Sequence, residues 1–397
     1  MANNNENKIL NVPNLRFPEF SGEWKKCTID DLCEEFKSGK NIKADNILNE
    51  GEYPVFGGNG LRGYTDCYNH EGDYVLIGRQ GALCGNIRFV TGKTYITEHA
   101  IAAKATNNNN TRFLESLFIQ LNLGKFSDQS AQPGLAVNKL LKIETSVPSK
   151  DEQEKIASLL QNIDKRIATQ NKIIEDLKKL KSAIIDKSFC YPNESSPQKR
   201  FIGFTEEWHL VHLSDICQRV RTKNFNTQCT LVLTIAAQFG LVSQEEFFNK
   251  SVASDNLEGY YLLRKGDFAY NKSYSGDYAW GAVKRLECFS EGVLSPLYIC
   301  FRPDTARIDS DFLAHYFESK KWYKGIADIA GEGARNHGLL NLSVIDYFKT
   351  LHRIPSIQEQ KAIANALNKL TSKISIEKNL YDDLLLQRQH LLQQMFI

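Results

Sequence analysis

Two stretches of this chain carry an apolar stripe with the four-then-three spacing that places one face of a helix against a partner. The first reads Ile156, Leu160, Ile163, Ile167, Gln170, Ile174, Leu177, Lys181, Ile184. The second, 207 positions later, reads Ile363, Leu367, Leu370, Ile374, Glu377, Tyr381, Leu384, Arg388, Leu391. The polar interruptions fall at the same two places, Gln170 with Glu377 and Lys181 with Arg388. From 151 to about 187 there is no Gly or Pro, and Asp151, Glu152 and Glu154 occupy the first turn, where the helix dipole favours acids. At about 1.5 Å per residue such a helix is a rod of roughly 55 Å, too long to lie on one small domain. The two rods are therefore expected to pair as an antiparallel coiled coil about a pseudo-two-fold axis, with the polar breaks setting register.

The stripes belong to a longer repeat. RFPEFSGEW around Arg16 returns as RFIGFTEEW around Arg200, so that Arg16, Phe17, Phe20, Glu23 and Trp24 recur 184 positions later as Arg200, Phe201, Phe204, Glu207 and Trp208. Pro148-Ser149, Glu152-Gln153 and Ile156-Ala157 return as Pro355-Ser356, Glu359-Gln360 and Ile363-Ala364. A period this long is a domain duplication and not a solenoid repeat. The middles, about 25–147 and 209–354, do not match. Both hold short β-branched and aromatic runs broken by Gly and Asn, such as Tyr74-Val75-Leu76-Ile77 and Leu297-Tyr298-Ile299-Cys300-Phe301. Each also has one amphipathic helix, around Phe113, Leu114, Leu117, Phe118 and around Phe312, Leu313, Tyr316, Phe317. The expected fold is mixed α/β: a first globular domain over 1–149, a long helix over 150–190, a linker and second domain over 191–354, and a second long helix over 355–397. A repeated frame around unlike inserts suits a protein that holds two different recognition surfaces in fixed geometry.

Composition narrows the class only a little. Hydrophobic content of 42% and charged content of 24% are ordinary for a soluble chain, and no apolar run is long enough to span a membrane. The start, MANNNENKIL, lacks the order of a signal peptide. Nine dispersed cysteines with no C-x-x-C pair read as reduced thiols of a cytoplasmic protein and not as metal ligands. The net charge of +2 means that any grip on nucleic acid comes from local patches or is shared with a partner.

The opening R-F-x-x-F-x-x-x-W and the closing P-x-x-x-E-Q-x-x-I-A, present in both halves, resemble the specificity (S) subunit of type I restriction-modification enzymes. The first insert, YPVFGGNGLRGY followed by GDYVLIGRQGALCGNI, resembles one class of target recognition domain. The second, GDFAYNKSYSGDYAWGAVKRL followed by EGVLSPLYICF, resembles another. The resemblance covers nearly the whole chain. It implies a non-catalytic reader of double-stranded DNA, each half taking one part of an asymmetric bipartite target. Two methyltransferase (M) subunits would dock on the helical spine, and restriction/translocase (R) subunits would join the assembled complex. It further implies adenine as the methylated base, no cofactor on this chain, and S-adenosylmethionine, ATP and Mg on the partners.

Two patterns compete with that reading. Phe56-Gly57-Gly58-Asn59-Gly60 fits F-x-G-x-G, a methyltransferase cofactor loop, but no [N/D]-P-P-[Y/F] tetrapeptide accompanies it, so a turn is expected. Pro303-Asp304 with Glu318-Ser319-Lys320 fits a loose P-D…E-x-K nuclease pattern, with Glu318 and Lys320 expected on the second amphipathic helix. A metal-dependent nuclease in the second insert, or a coiled-coil scaffold with no DNA role, are the alternatives. His99, matched in the repeat with Ser295, is read as structural.

Sequence is read at base edges by Arg, Lys, Asn, Gln, Ser and His on exposed elements. In the first insert the candidates are Arg62, Arg79, Gln80, Asn86 and Arg88, with Ser130 and Gln132 near its end, set among glycines that permit close approach. In the second, Asn271, Lys272, Ser273 and Tyr274, with Trp280, form one polar-aromatic loop and Arg335, Asn336 and His337 another.

Overall fold

The computed structural model describes residues 11–128, 133–236, 240–249, 256–273, 278–330 and 339–397. The chain divides into two compact units, Met1–Lys172 with Asn379–Ile397, and Ile173–Lys378. Each unit therefore takes the start of one long helix and the end of the other, the helices being Lys150–Ser188 and Ile357–Gln394.

In the first unit an antiparallel sheet runs in the order Cys33–Ser38, Ala100–Ala105, Tyr74–Gly78, Ile87–Val90. All five residues of Tyr74–Gly78 are buried, because this inner strand is covered on both faces. Val75, Ile77, Ile101 and Ala103 face Phe113, Leu114, Leu117 and Phe118 of the helix Thr111–Leu121. Tyr74, Leu76, Ala100 and Ala102 face Phe56 and Ile96 of a second sheet. That sheet runs Gly60–Thr65, Tyr53–Gly57, Lys93–Ile96, His70–Glu71, with the middle two strands parallel.

The second unit has the same plan. Its main sheet runs Cys217–Arg219, Ile299–Pro303, Phe268–Asn271, Ala282–Arg285, and the helix Ser310–Glu318 covers one face. The hairpin Leu233–Ala236/Gly240–Ser243 and the pair Tyr261–Arg264/Glu291–Leu294 meet through a parallel bridge between Val232 and Val293. This is where the first unit has its parallel pair. The expectation that two inserts without matching sequence share a mixed α/β fold is met.

The repeated motifs perform the same tasks in both units. Trp24 and Trp208 are buried edge-on against Phe113 and Phe312, with ring centroids 6.3 and 6.1 Å apart. Gln153 Oε1 accepts from the backbone N–H of Asn110 (3.0 Å), the residue that caps the amphipathic helix, and Gln360 Oε1 accepts from Asp309 (2.7 Å) in the same way. Each closing Gln also donates to the proline that precedes its helix, Pro148 at 3.0 Å and Pro355 at 2.9 Å. The long helix is thus fastened at its first turn to the domain it leaves.

The ends of the helices repeat too, which the stripe alone did not suggest. In the first unit Phe396 stacks on Phe113 at 5.2 Å, and in the second Phe189 packs on Phe312 at 5.2 Å. Leu15 N–H donates to Gln394 O (2.8 Å), and Lys199 N–H donates to Lys187 O (3.0 Å). The start of one helix and the end of the other share a core in each unit: Ile156, Ala157 and Leu160 with Leu392, Met395 and Phe396 in the first, Ile363, Ala364 and Leu367 with Ile185 and Phe189 in the second. In the first unit Asp164 also pairs with Arg388, so partners descend along one helix as they ascend the other, an antiparallel run. All fourteen apolar stripe positions are buried or half-buried, and both Gln170 and Glu377 are buried within the stripe.

Candidate nucleic-acid interface

The inner strand of the first unit ends at Gly78, and the chain then makes a tightly bonded loop. Gly78 N–H donates to Asn86 O (2.8 Å), Gly85 N–H to Gly78 O (2.7 Å) and Cys84 N–H to Gly81 O (3.0 Å). Gly85 has φ +84°, and a Cβ there would lie 2.3 Å from the Gly124 Cα, so only glycine fits. Arg79 is held at the root of the loop: its N–H donates to His99 O (2.9 Å) and its carbonyl accepts from Leu135 N–H (2.9 Å). Gln80 and Asn86 are exposed on the same loop. A braced loop of this kind presents side chains in fixed directions, as a reader of base edges requires.

The two remaining arginines stand on strands, not on loops. Arg62 lies on Gly60–Thr65, and a Cβ on Gly57 would meet its Cδ at 2.9 Å. Arg88 lies on Ile87–Val90 opposite Leu76, and a Cβ on Gly60 would come within 3.0 Å of its guanidinium. The F-x-G-x-G segment is the turn of the hairpin between Tyr53–Gly57 and Gly60–Thr65, as expected. Its tip abuts the root of the Arg79 loop, since a Cβ on Gly58 would meet His99 O at 2.7 Å. Arg62, Arg79 and Arg88 are brought to one end of the unit beside Gln80 and Asn86. Ser130 and Gln132 lie outside the described residues. Sequence reasoning rejected a cofactor loop here but kept Arg62 of the same hairpin as a candidate; what it did not show is that the hairpin tip lies against the Arg79 loop.

In the second unit Asn271 ends the inner strand, Lys272 and Ser273 follow it, and all three are half-buried. Asn271 Oδ1 accepts from Ser273 N–H (2.9 Å), Lys272 O accepts from Leu340 N–H (3.0 Å), and Ser273 bridges to Leu339. Trp280, expected in the recognition loop, instead packs against the core, and its carbonyl accepts from the Tyr270 hydroxyl (2.9 Å). The large area of an indole is better buried than wet. Tyr274, Arg335, Asn336 and His337 lie outside the described residues.

The nuclease-like pattern has a different account. Glu318 ends the amphipathic helix, and Lys320 lies beyond it, not on it as the sequence suggested. The Glu318 carboxylate is paired with Lys181 (2.9 Å) and His315 (3.2 Å). Burial pushes its pKa up, but the His315 hydrogen bond and the Lys181 charge outweigh this and hold it at about 2. Asp304 accepts from the backbone of Ala306 (3.1 Å). Among the described residues no three His, Cys, Asp or Glu side chains are grouped as a metal site would need. His99 lies beside Glu98 at 3.2 Å. The strand ladders place Leu297 at its position in the second unit, not Ser295, because Ile101 and Ile299 occupy matching rows.

Comparison with known proteins agrees with this architecture. The family described as type I restriction modification DNA specificity domain matches residues 21–179. The EcoprrI specificity subunit of Escherichia coli is 38% identical over 186 residues, a match spanning 45% of this chain and 45% of that relative. The MjaVIII specificity subunit of Methanocaldococcus jannaschii is 24% identical over an alignment of 411 positions, covering 94% of this chain and 91% of the relative. The crystal structure of a type I restriction-modification S subunit from M. genitalium has the same fold, with a TM-score of 0.64 at 19% identity over 97% of this chain and 99% of that one. The duplicated frame and the two alike units are features of the fold that this chain shares with that S subunit. Residues 21–179 match the type I restriction modification DNA specificity domain, and over nearly its whole length the chain is similar to specificity subunits of type I restriction-modification enzymes.

Proposed function

We propose that this chain is the non-catalytic, sequence-reading subunit of a type I restriction-modification complex, each unit reading one part of a bipartite, asymmetric target in double-stranded DNA. The observation that carries the reading is the pair of like-folded units whose unlike inserts each set polar and basic side chains at the end of the inner strand. Phosphate contacts would position the duplex and base-edge contacts would specify it. Arg62, Arg79, Gln80, Asn86 and Arg88 in one unit, and Asn271, Lys272 and Ser273 in the other, are the described residues proposed for this role.

The long helices are proposed as the dock for two methyltransferase subunits, with restriction/translocase subunits joining through the assembled complex. Leu180, Ile376 and Leu386 support this, since they lie off the stripe and are 50%, 60% and 64% exposed. A net charge of +2 fits a reader that shares its hold on DNA with partners. S-adenosylmethionine, ATP and Mg belong on those partners in this reading, and the target adenine is flipped into a partner's pocket. No described helix is long and apolar enough to cross a membrane, which is compatible with a cytoplasmic site of action.

The test is to purify the chain alone and with its methyltransferase partner, and to measure binding to duplex DNA and methyl transfer. The complex should bind duplex with strong salt dependence and methylate at defined sites. The chain alone should neither bind S-adenosylmethionine nor methylate. Methyl transfer by the chain alone, or a complex indifferent to DNA sequence, would overturn the proposal.

A further inference from the structure

The frame fixes how the two main sheets correspond, position by position. Leu32 O accepts from Thr106 N–H (3.0 Å), and Ile216 O accepts from Asp304 N–H (2.8 Å). The next residue of each frame pairs across the sheet in the same manner, Cys33 with Ala105 and Cys217 with Pro303. Following the ladders from these anchors, the row Arg88–Leu76–Ala102 falls on the row Lys284–Ala269–Cys300. One step beyond the inner strand, Arg79 falls on Lys272. The surroundings agree. Arg88 lies against Gly60, which opens the second strand of its hairpin with φ +104°. Lys284 shares the lining of a cavity of about 190 Å³ with Gly240, which opens the matching strand with φ +95°.

We propose that Lys284 is a DNA-backbone contact of the second unit, the counterpart of Arg88 in the first; this rests on the DNA-reading function above. Lys284 also borders a second opening of about 300 Å³ lined by Lys181, Lys320, Tyr278 and Trp322, so two openings meet at this lysine. Burial lowers its pKa, and Glu318, the acid that most favours its charge, is already held by Lys181 and His315. A partly desolvated cation whose acid is shared gains from a phosphate oxygen.

The change of residue type between units has a chemical meaning. Arginine at both positions of the first unit offers a planar fork suited to the two acceptors of a guanine edge. Lysine at both positions of the second offers a point charge suited to phosphate. Lys284 and Lys272 are therefore assigned to positioning, and base choice in that unit falls to the neighbouring amides and hydroxyls.

The experiment uses the complex with its methyltransferase partner and a random-sequence duplex, with the binding constant followed against salt concentration. Wild-type complex should bind with a steep negative slope of log K against log salt. Lys284→Gln should reduce that slope by about 0.9, the contribution of one phosphate contact, and Lys284→Arg should keep it. The methylated sequence should be the same in all three. Reductive methylation of lysines with mass-spectrometric readout gives a measurement on wild-type protein, free of any folding defect in the variant: DNA should protect Lys284. An unchanged slope in a folded Lys284→Gln complex, or equal labelling with and without DNA, overturns the assignment while leaving the DNA-reading function intact. Wild-type complex that fails to bind duplex overturns that function itself.

Discussion

Arg16 and Glu152 form a two-pronged ion pair: Arg16 Nε donates to Oε1 at 2.8 Å and Nη2 to Oε2 at 2.7 Å. Arg200 and Glu359 form the same pair at 2.9 and 2.6 Å. The first charged residue of each opening motif is thus locked to the acid of the closing motif, which explains why both ends of the frame persist while the middle changes. Both carboxylates are only 1% exposed, so each depends on its arginine.

Arg16→Ala should therefore lower unfolding stability by about 3–5 kcal/mol, the range for stripping a buried charge of its partner. Lysine at position 16 should recover only part, since a point charge cannot make both prongs. Denaturant unfolding of the full chain measures this, and a loss under about 1 kcal/mol for the alanine variant would show that the pair is not a fastening.

His352 supplies a pH dependence in the second unit. Burial, with a smaller contribution from His212, lowers its pKa from the ordinary imidazole value near 6.5 to about 3, and its nitrogens meet the Tyr316 hydroxyl at 2.9 Å and the Thr350 hydroxyl at 2.8 Å. Between those values the unfolded chain binds a proton that the folded chain refuses. This group's contribution is complete above about 6.5 and declines as pH falls, by at most about 1.4 kcal/mol per pH unit. His352→Gln should flatten the acid side of the stability profile between pH 7 and 5. Parallel profiles for the two proteins would refute the assignment.

The matching bonds Leu15–Gln394 and Lys199–Lys187 predict tolerance to circular permutation. Joining Ile397 to Met1 and opening the chain between Asn193 and Glu194, both exposed, should preserve the helical content and the recognised DNA sequence. Circular dichroism and methylation mapping check this; a permutant that folds but recognises a different sequence would contradict the view that the two units are equivalent frames.

Much of the fold was legible because it obeys fixed spacing. The stripe from Ile156 to Ile184 and its copy were visible because coiled-coil packing constrains residues three and four apart. The pairing of Arg16 with Glu152 was not, since 136 positions separate them and nothing local records the contact. Sheet order was hidden for the same reason: strands of two to six residues do not name their partners. Arg79 and Asn86 could be singled out because glycines flank them. Lys284 could not, for its match to Arg88 appears only when the ladders are aligned. Trp280 misled because an aromatic beside polar residues reads alike whether it stacks on a base or fills a core.

A role for the long helices in setting the gap between half-sites, which we propose, is testable without knowledge of the target. One heptad inserted after Asn171, with its match after Lys378, keeps the stripe in phase and adds about 10 Å at about 1.5 Å per residue. The gap between half-sites should grow by about three base pairs at about 3.4 Å each, with both half-site sequences unchanged. Recovery of the original gap at full affinity would show that the helices do not set the spacing.

The central claim is that two independent readers share one frame. Its most direct test is to replace residues 25–147 with the corresponding insert of another family member and map methylated sites across a genome. The account predicts that one half of the bipartite target changes and the other half stays as it was. A map in which both halves change together, or in which neither does, would contradict it.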